Sequence, residues 1–161
     1  MSFKVPHKLV FSMILLALTA CVPEESGTFT AVYEEYFVEC ANCHAEDAPG
    51  YTSNIEKSLD FSTEDSAYST LMGSASGLTG NQAACNGVKF VVSGDPGSSL
   101  VVAVVDEDVR QAFDLTGNPD CNVDSISDMT VKTGLTPSTA FLDSLKEWIS
   151  SGAARDGGLG F

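Results

Sequence analysis

The most specific chemistry in this chain is carried by five consecutive residues, Cys40-Ala41-Asn42-Cys43-His44. Two thiols three positions apart can each add across one of the two vinyl groups of a haem. The histidine directly after the second thiol is then held under the iron as the proximal ligand. The pattern therefore reads as the site of one covalent haem c, with His44 on its iron. Two other uses of a C-x-x-C pair fit less well. A thioredoxin-like redox pair needs a βαβ setting, which the flanking sequence lacks. A zinc site needs about four N or S ligands and a second close pair, and Cys85 and Cys121 are too scattered to supply one.

The N-terminus has to be set aside before the rest is read. Lys4 and Lys8 make a positive region, and Leu9 to Leu18 is a short apolar run. That run is shorter than the roughly 20 residues a membrane span requires. It ends in Leu18-Thr19-Ala20-Cys21, which resembles a bacterial lipobox. Residues 1–20 are thus expected to be a lipoprotein signal peptide, with Cys21 lipidated and residues 21–27 forming the tether. Localisation follows: lipid-anchored on the periplasmic side of a bacterial membrane. Val22 is not the aspartate associated with inner-membrane retention, which favours the outer membrane.

Cleavage also changes the charge. The whole chain carries a formal −14. Two of its eight basic residues and none of its 22 acidic residues lie in the signal, so the mature chain has a formal −16. Nucleic acid is excluded as a partner, because phosphate binding needs a basic face. A redox partner protein with a basic docking face fits such a surface through long-range attraction. The plainer alternative is that the charge only maintains solubility. Of five cysteines, Cys85 and Cys121 remain after the lipid and haem assignments. Export makes a disulfide between them the natural pairing; the alternative is two buried free thiols.

Several elements must position the motif. Phe29, Val32, Tyr33, Tyr36, Phe37 and Cys40 recur at spacings of three and four, which predicts a helix over 28–40 with Glu34, Glu35 and Glu39 on its other side. Residues 45–61 read as a loop. Ser62 to Asp65 resembles a capping box opening a short helix that stops at Gly73. Residues 74–87 read as a second loop and 89–92 as a brief extended stretch. Asp95-Pro96 is a cap followed by proline at the first helical position, and the β-branched run from Val101 to Val105 suits helix or strand. Residues 106–135 read as a long acidic loop of the kind that serves function. Thr136-Pro137 repeats the cap-and-proline signature before a helix carrying Phe141, Leu145, Trp148 and Ile149 on one face. Phe37, Phe141, Leu145 and Trp148 are the expected apolar surroundings of the haem.

The distal ligand can be approached by elimination. His7 leaves with the signal, so His44 is the only histidine of the mature chain, and two histidines cannot both ligate. Met72 and Met129 are the remaining methionines. Met72 ends an apolar helix face, which suits packing. Met129 sits in a polar stretch with little to pack against, which favours it as the second ligand of the iron. His/Met ligation raises the reduction potential.

Taken in order, these features resemble a class I c-type cytochrome. More narrowly they are similar to the single-haem domains of exported bacterial lipoproteins of the planctomycete and myxobacterial type. An aromatic helix leads into Cys40-Ala41-Asn42-Cys43-His44. Phe61 to Met72 (FSTEDSAYSTLM) is similar to the family's short helix after a "DLS" turn. Cys85 is followed by Val91-Val92-Ser93-Gly94-Asp95-Pro96-Gly97-Ser98-Ser99-Leu100, similar to "VxPGDPxxSLL". Cys121 precedes Met129, and Gly134-Leu135-Thr136-Pro137 leads to a final stretch similar to "LTxxxxxxIxxWIxxGAxxD". The resemblance implies an all-α, cytochrome c-like helical domain with long loops around one haem, over residues 28–156, ahead of a flexible tail at 157–161. It also implies that a Cys85–Cys121 disulfide ties the ligand loop to the core. One departure counts: the family places its methionine closer to the second cysteine with proline next, whereas here Met129 lies eight residues beyond Cys121 and Thr130 follows.

The function this implies is one-electron transfer by a membrane-tethered carrier rather than an enzyme. The sequence has no nucleophile–base pair, P-loop or dinucleotide fingerprint. The alternative, should Met129 not ligate, is a five-coordinate haem protein that binds a small gas or acts as a weak peroxidase.

Overall fold

The computed structural model describes residues 27–49, 59–113, 119–123, 126, 134 and 136–155. The expected signal peptide, Cys21, most of the expected tether, Met129 and the expected C-terminal tail lie outside the described residues. The described residues are helical and form no strand. Their only β pairing is an isolated bridge between Ser74 and Lys89, so the extended stretch expected at 89–92 is reduced to this bridge.

Helix α1 starts at Phe29–Val32, passes through a π-helical turn at Tyr33–Phe37 and ends at Val38–Cys40. Thr28 caps it, its hydroxyl accepting from the Ala31 amide at 3.2 Å. The apolar stripe does what its spacing predicts: Phe29, Val32, Tyr36 and Phe37 are buried. The last helix, α5 (Thr139–Ser150), packs along α1. Tyr36 stacks on Phe141 with ring centres 4.4 Å apart, and Phe29 meets Trp148 at 4.9 Å. At the start of α1 the backbone approaches α5 so closely that a β-carbon on Gly27 (φ +80°) would collide with Glu147.

Between these two helices the chain builds the rest of the core from short pieces. Helix α2 is Glu64–Leu71. Its cap is Thr63 rather than the expected Ser62: Thr63 Oγ1 accepts from the Ser66 amide at 3.1 Å, while the Ser62 amide is bound by Asp60 Oδ1. Residues expected as a loop contain a 3-10 helix at Gly80–Cys85. Asp95 caps a second 3-10 turn, Pro96–Ser98, with proline at its start. The ambiguous valine run resolves as helix α3, Leu100–Ala103, all four residues of which are buried. Ser99, fully buried, links these pieces by accepting from the Val92 amide and donating to the Asp95 carbonyl.

The expected long loop at 106–135 is corrected at its start, where Glu107–Phe113 forms helix α4. Asp106 explains this, since its carboxylate accepts from the amides of Asp108 and Val109 at 3.0 and 3.2 Å. Acidic residues in a first turn favour a helix because they complement its positive end. What reads as an acidic loop is thus a capped helix start. The cap of α5 is likewise Ser138 and not Thr136: Ser138 Oγ accepts from the Phe141 amide at 2.9 Å and donates to Glu35 on α1.

Candidate functional site

The motif continues the helical path of α1 by one more turn. The amides of Cys43 and His44 both donate to the Cys40 carbonyl, at 3.1 and 2.8 Å. Residues one turn apart share a helix face, so Cys40 and Cys43 project to the same side. Both are free thiols and half-buried. Burial pushes the Cys40 thiol up to about 12, assisted by the neighbouring Cys43 and Glu39. A thiol in that state is protonated at neutral pH. This is the opposite of the lowered, thiolate-forming cysteine of redox C-x-x-C sites.

His44 is held by Phe61. The Phe61 amide donates to the His44 carbonyl at 2.8 Å. The two rings meet edge to face, 5.7 Å between centres and 73° apart. The Nδ1 atom of His44 is buried. Phe61 is itself 4% exposed and lies 5.3 Å from the ring of Phe37. Its carbonyl accepts from the Tyr33 hydroxyl at 3.1 Å. Tyr33 belongs to the π-helical turn, a feature that recurs at functional sites. An open cleft of about 530 Å³ flanks the motif, walled by Ala41, Asn42, Ala45, Asp47, Pro49 and Asp60.

Of the apolar surroundings expected for a haem, Phe37 and Phe141 are brought together, with ring centres 5.7 Å apart. Trp148 is not beside the motif. It packs on Phe29, at the opposite end of α1 from Cys40, and its indole donates to the Ala154 carbonyl at 2.7 Å. Met72 caps the C-terminus of α2 and packs against the core. Met129 lies outside the described residues.

Cys85 and Cys121 are joined by a disulfide and both are buried. The segment that follows Cys121 is also held by Arg110 of α4, which is only 6% exposed. Its guanidinium donates to the carbonyls of Val123, Ile126 and Val104 at 3.1 to 3.4 Å. Sequence reasoning missed Arg110 because it sits in an acidic run, where a basic side chain reads as a surface ion pair. Its spacing of three from the buried Phe113 was the available signal. Phe61 and Tyr33 were visible as aromatics, but their convergence on His44 is a tertiary fact.

The residues present fit a covalent haem in their chemistry: two unbridged thiols on one face of a helix end, and an adjacent imidazole held by an aromatic contact. Among the described residues, no group of three or more His, Cys, Asp or Glu is placed to hold a bare metal ion. No helix among them is long and apolar enough to cross a membrane. No protein-family model matches the chain, and no curated protein and no solved structure is significantly similar to it.

Proposed function

We propose that this chain is a membrane-tethered one-electron carrier with a single covalent haem c. Cys40 and Cys43 hold the group through thioethers, each formed by adding a thiol S–H across a vinyl group. His44 and Met129 would ligate its iron, and Cys21 would carry the lipid. The observation that carries this reading is C-x-x-C-H on the end of a buried aromatic helix, with its histidine clamped by Phe61. When bound, the haem supplies reversible one-electron chemistry. The chain's own residues do the rest. Phe61 fixes the imidazole. The disulfide and Arg110 hold the segment that leads into the Met129 region. The acidic surface attracts a basic redox partner.

The wide spacing between Cys121 and Met129 favours one second reading, a five-coordinate haem open to a small gas or to weak peroxidase chemistry. Intact mass and optical spectroscopy of the matured protein decide. The carrier reading expects the signal removed, one haem added, and a ferric charge-transfer band of methionine ligation that disappears in Met129→Leu. High-spin iron with ready CO binding in the unaltered protein selects the second reading. Absence of haem mass overturns both.

A further inference from the structure

The geometry points to Tyr33 and Phe61 as positioning residues that set the orientation of the His44 imidazole toward the haem iron. This inference rests on the haem reading above. Three contacts run in series. The Tyr33 hydroxyl donates to the Phe61 carbonyl at 3.1 Å. The Phe61 amide donates to the His44 carbonyl at 2.8 Å. The Phe61 ring meets the His44 ring edge to face at 5.7 Å. One residue therefore restrains both the backbone and the ring of His44, and a second restrains that residue.

The restraint is firm because Phe61 has little room to move. It is buried, and Phe37 lies against it at 5.3 Å. Phe37 and Tyr33 are the two ends of the π-helical turn, so one turn of α1 grips Phe61 through both its carbonyl and its ring. The same helix carries Cys40 at its end. Thioether attachment and imidazole orientation are thereby referred to a single element. Tyr33 stays a protonated donor across the physiological range. Burial raises its phenol above the ordinary value, and the carboxylates of Glu64 and Asp60 raise it further.

An internal control is available two residues before the end of the first helical segment. Thr30 Oγ1 donates to Glu64 Oε1 at 2.7 Å. It ties the same helix to the same part of the chain without touching Phe61 or His44. Any merely structural role of such a tether should be shared by both.

The test compares Tyr33→Phe, Phe61→Leu and Thr30→Val in the full-length haem-loaded protein, with haem content measured by mass and haemochrome absorbance. Readouts are the ferric electron paramagnetic g values, which depend on the orientation of axial ligands, and the midpoint potential. Tyr33→Phe and Phe61→Leu are expected to retain haem, change the spread of g values and move the potential positive, because a looser imidazole stabilises ferric iron less. Thr30→Val should leave both unchanged. Haem-loaded Tyr33→Phe that matches Thr30→Val and the unaltered protein in both readouts overturns the inference alone. Tyr33→Phe removes only one oxygen, so it decides the matter even if Phe61→Leu fails to fold. An unaltered protein without haem overturns the functional reading, and this inference with it.

Discussion

Arg110 is the residue whose environment departs furthest from what its type suggests. A guanidinium is normally exposed, and burying it is costly. Here it is 6% exposed and satisfies three backbone carbonyls, two of them beyond Cys121. The Val123 carbonyl also accepts from the Ile126 amide at 2.9 Å, and a buried acceptor left unmet costs about 1–3 kcal/mol. Five donors on a rigid fork can meet several acceptors at once, which a lysine cannot. Arg110→Met should therefore cost about 3 kcal/mol in urea unfolding, and Arg110→Lys should recover only part of it. If Arg110 also steadies the Met129 ligand, the methionine charge-transfer band should weaken in both variants. A loss below about 0.5 kcal/mol in Arg110→Met would show that these three bonds contribute nothing net.

At the scale of elements, the readable parts were those that state their own boundaries. The stripe of Phe29, Val32, Tyr36 and Phe37 marks α1, and Phe141, Leu145, Trp148 and Ile149 mark α5, because each helix buries one continuous face. Caps were misplaced by one or two residues at Ser62 and Thr136, since several neighbouring side chains could cap and only tertiary contacts choose among them. Glu35 supports Ser138 in this way. Helix α4 was hidden because its start is acidic and short, and nothing local reveals that Lys146 of α5 reaches Asp106 at 2.6 Å. That contact makes a prediction. Burial pushes the Asp106 carboxyl up, but the hydrogen bond from Lys146, the Val109 amide, the Lys146 charge and the Asp108 amide together hold it below its ordinary value. A lowered folded-state value means the contribution is fully present above the ordinary carboxylate pKa, near 4, and is lost as pH falls through the folded value. Unfolding free energy should thus decline below about pH 4. Asp106→Asn should flatten part of that decline and cost about 1–2 kcal/mol at neutral pH through the weakened cap and lost ion pair. An identical acid limb in Asp106→Asn would remove Asp106 from the account.

The whole molecule carries its charge unevenly in sign, 22 acidic against eight basic residues, and its few described cations are largely engaged. Arg110 is buried. Lys146 pairs with Asp106, and Arg155 with Asp65. These pairs leave Glu34, Glu35 and Glu39 on α1 to set the potential near the motif, with the half-exposed Val38 among them. Aligned carboxylates of this kind raise the encounter rate with a cation of protein size more than they tighten the final complex. The association rate with a small basic redox protein should then fall steeply as salt rises from 10 to 200 mM, since the screening length shortens from about 30 Å to under 10 Å over that range. Reversing two charges with Glu35→Lys and Glu39→Lys should lower the rate at low salt and flatten the dependence, while leaving the haem spectrum unaltered. Stopped-flow reduction measured against ionic strength reads both effects. A rate indifferent to salt in the unaltered protein would assign the acidic surface to solubility and remove electrostatic steering from the proposed function.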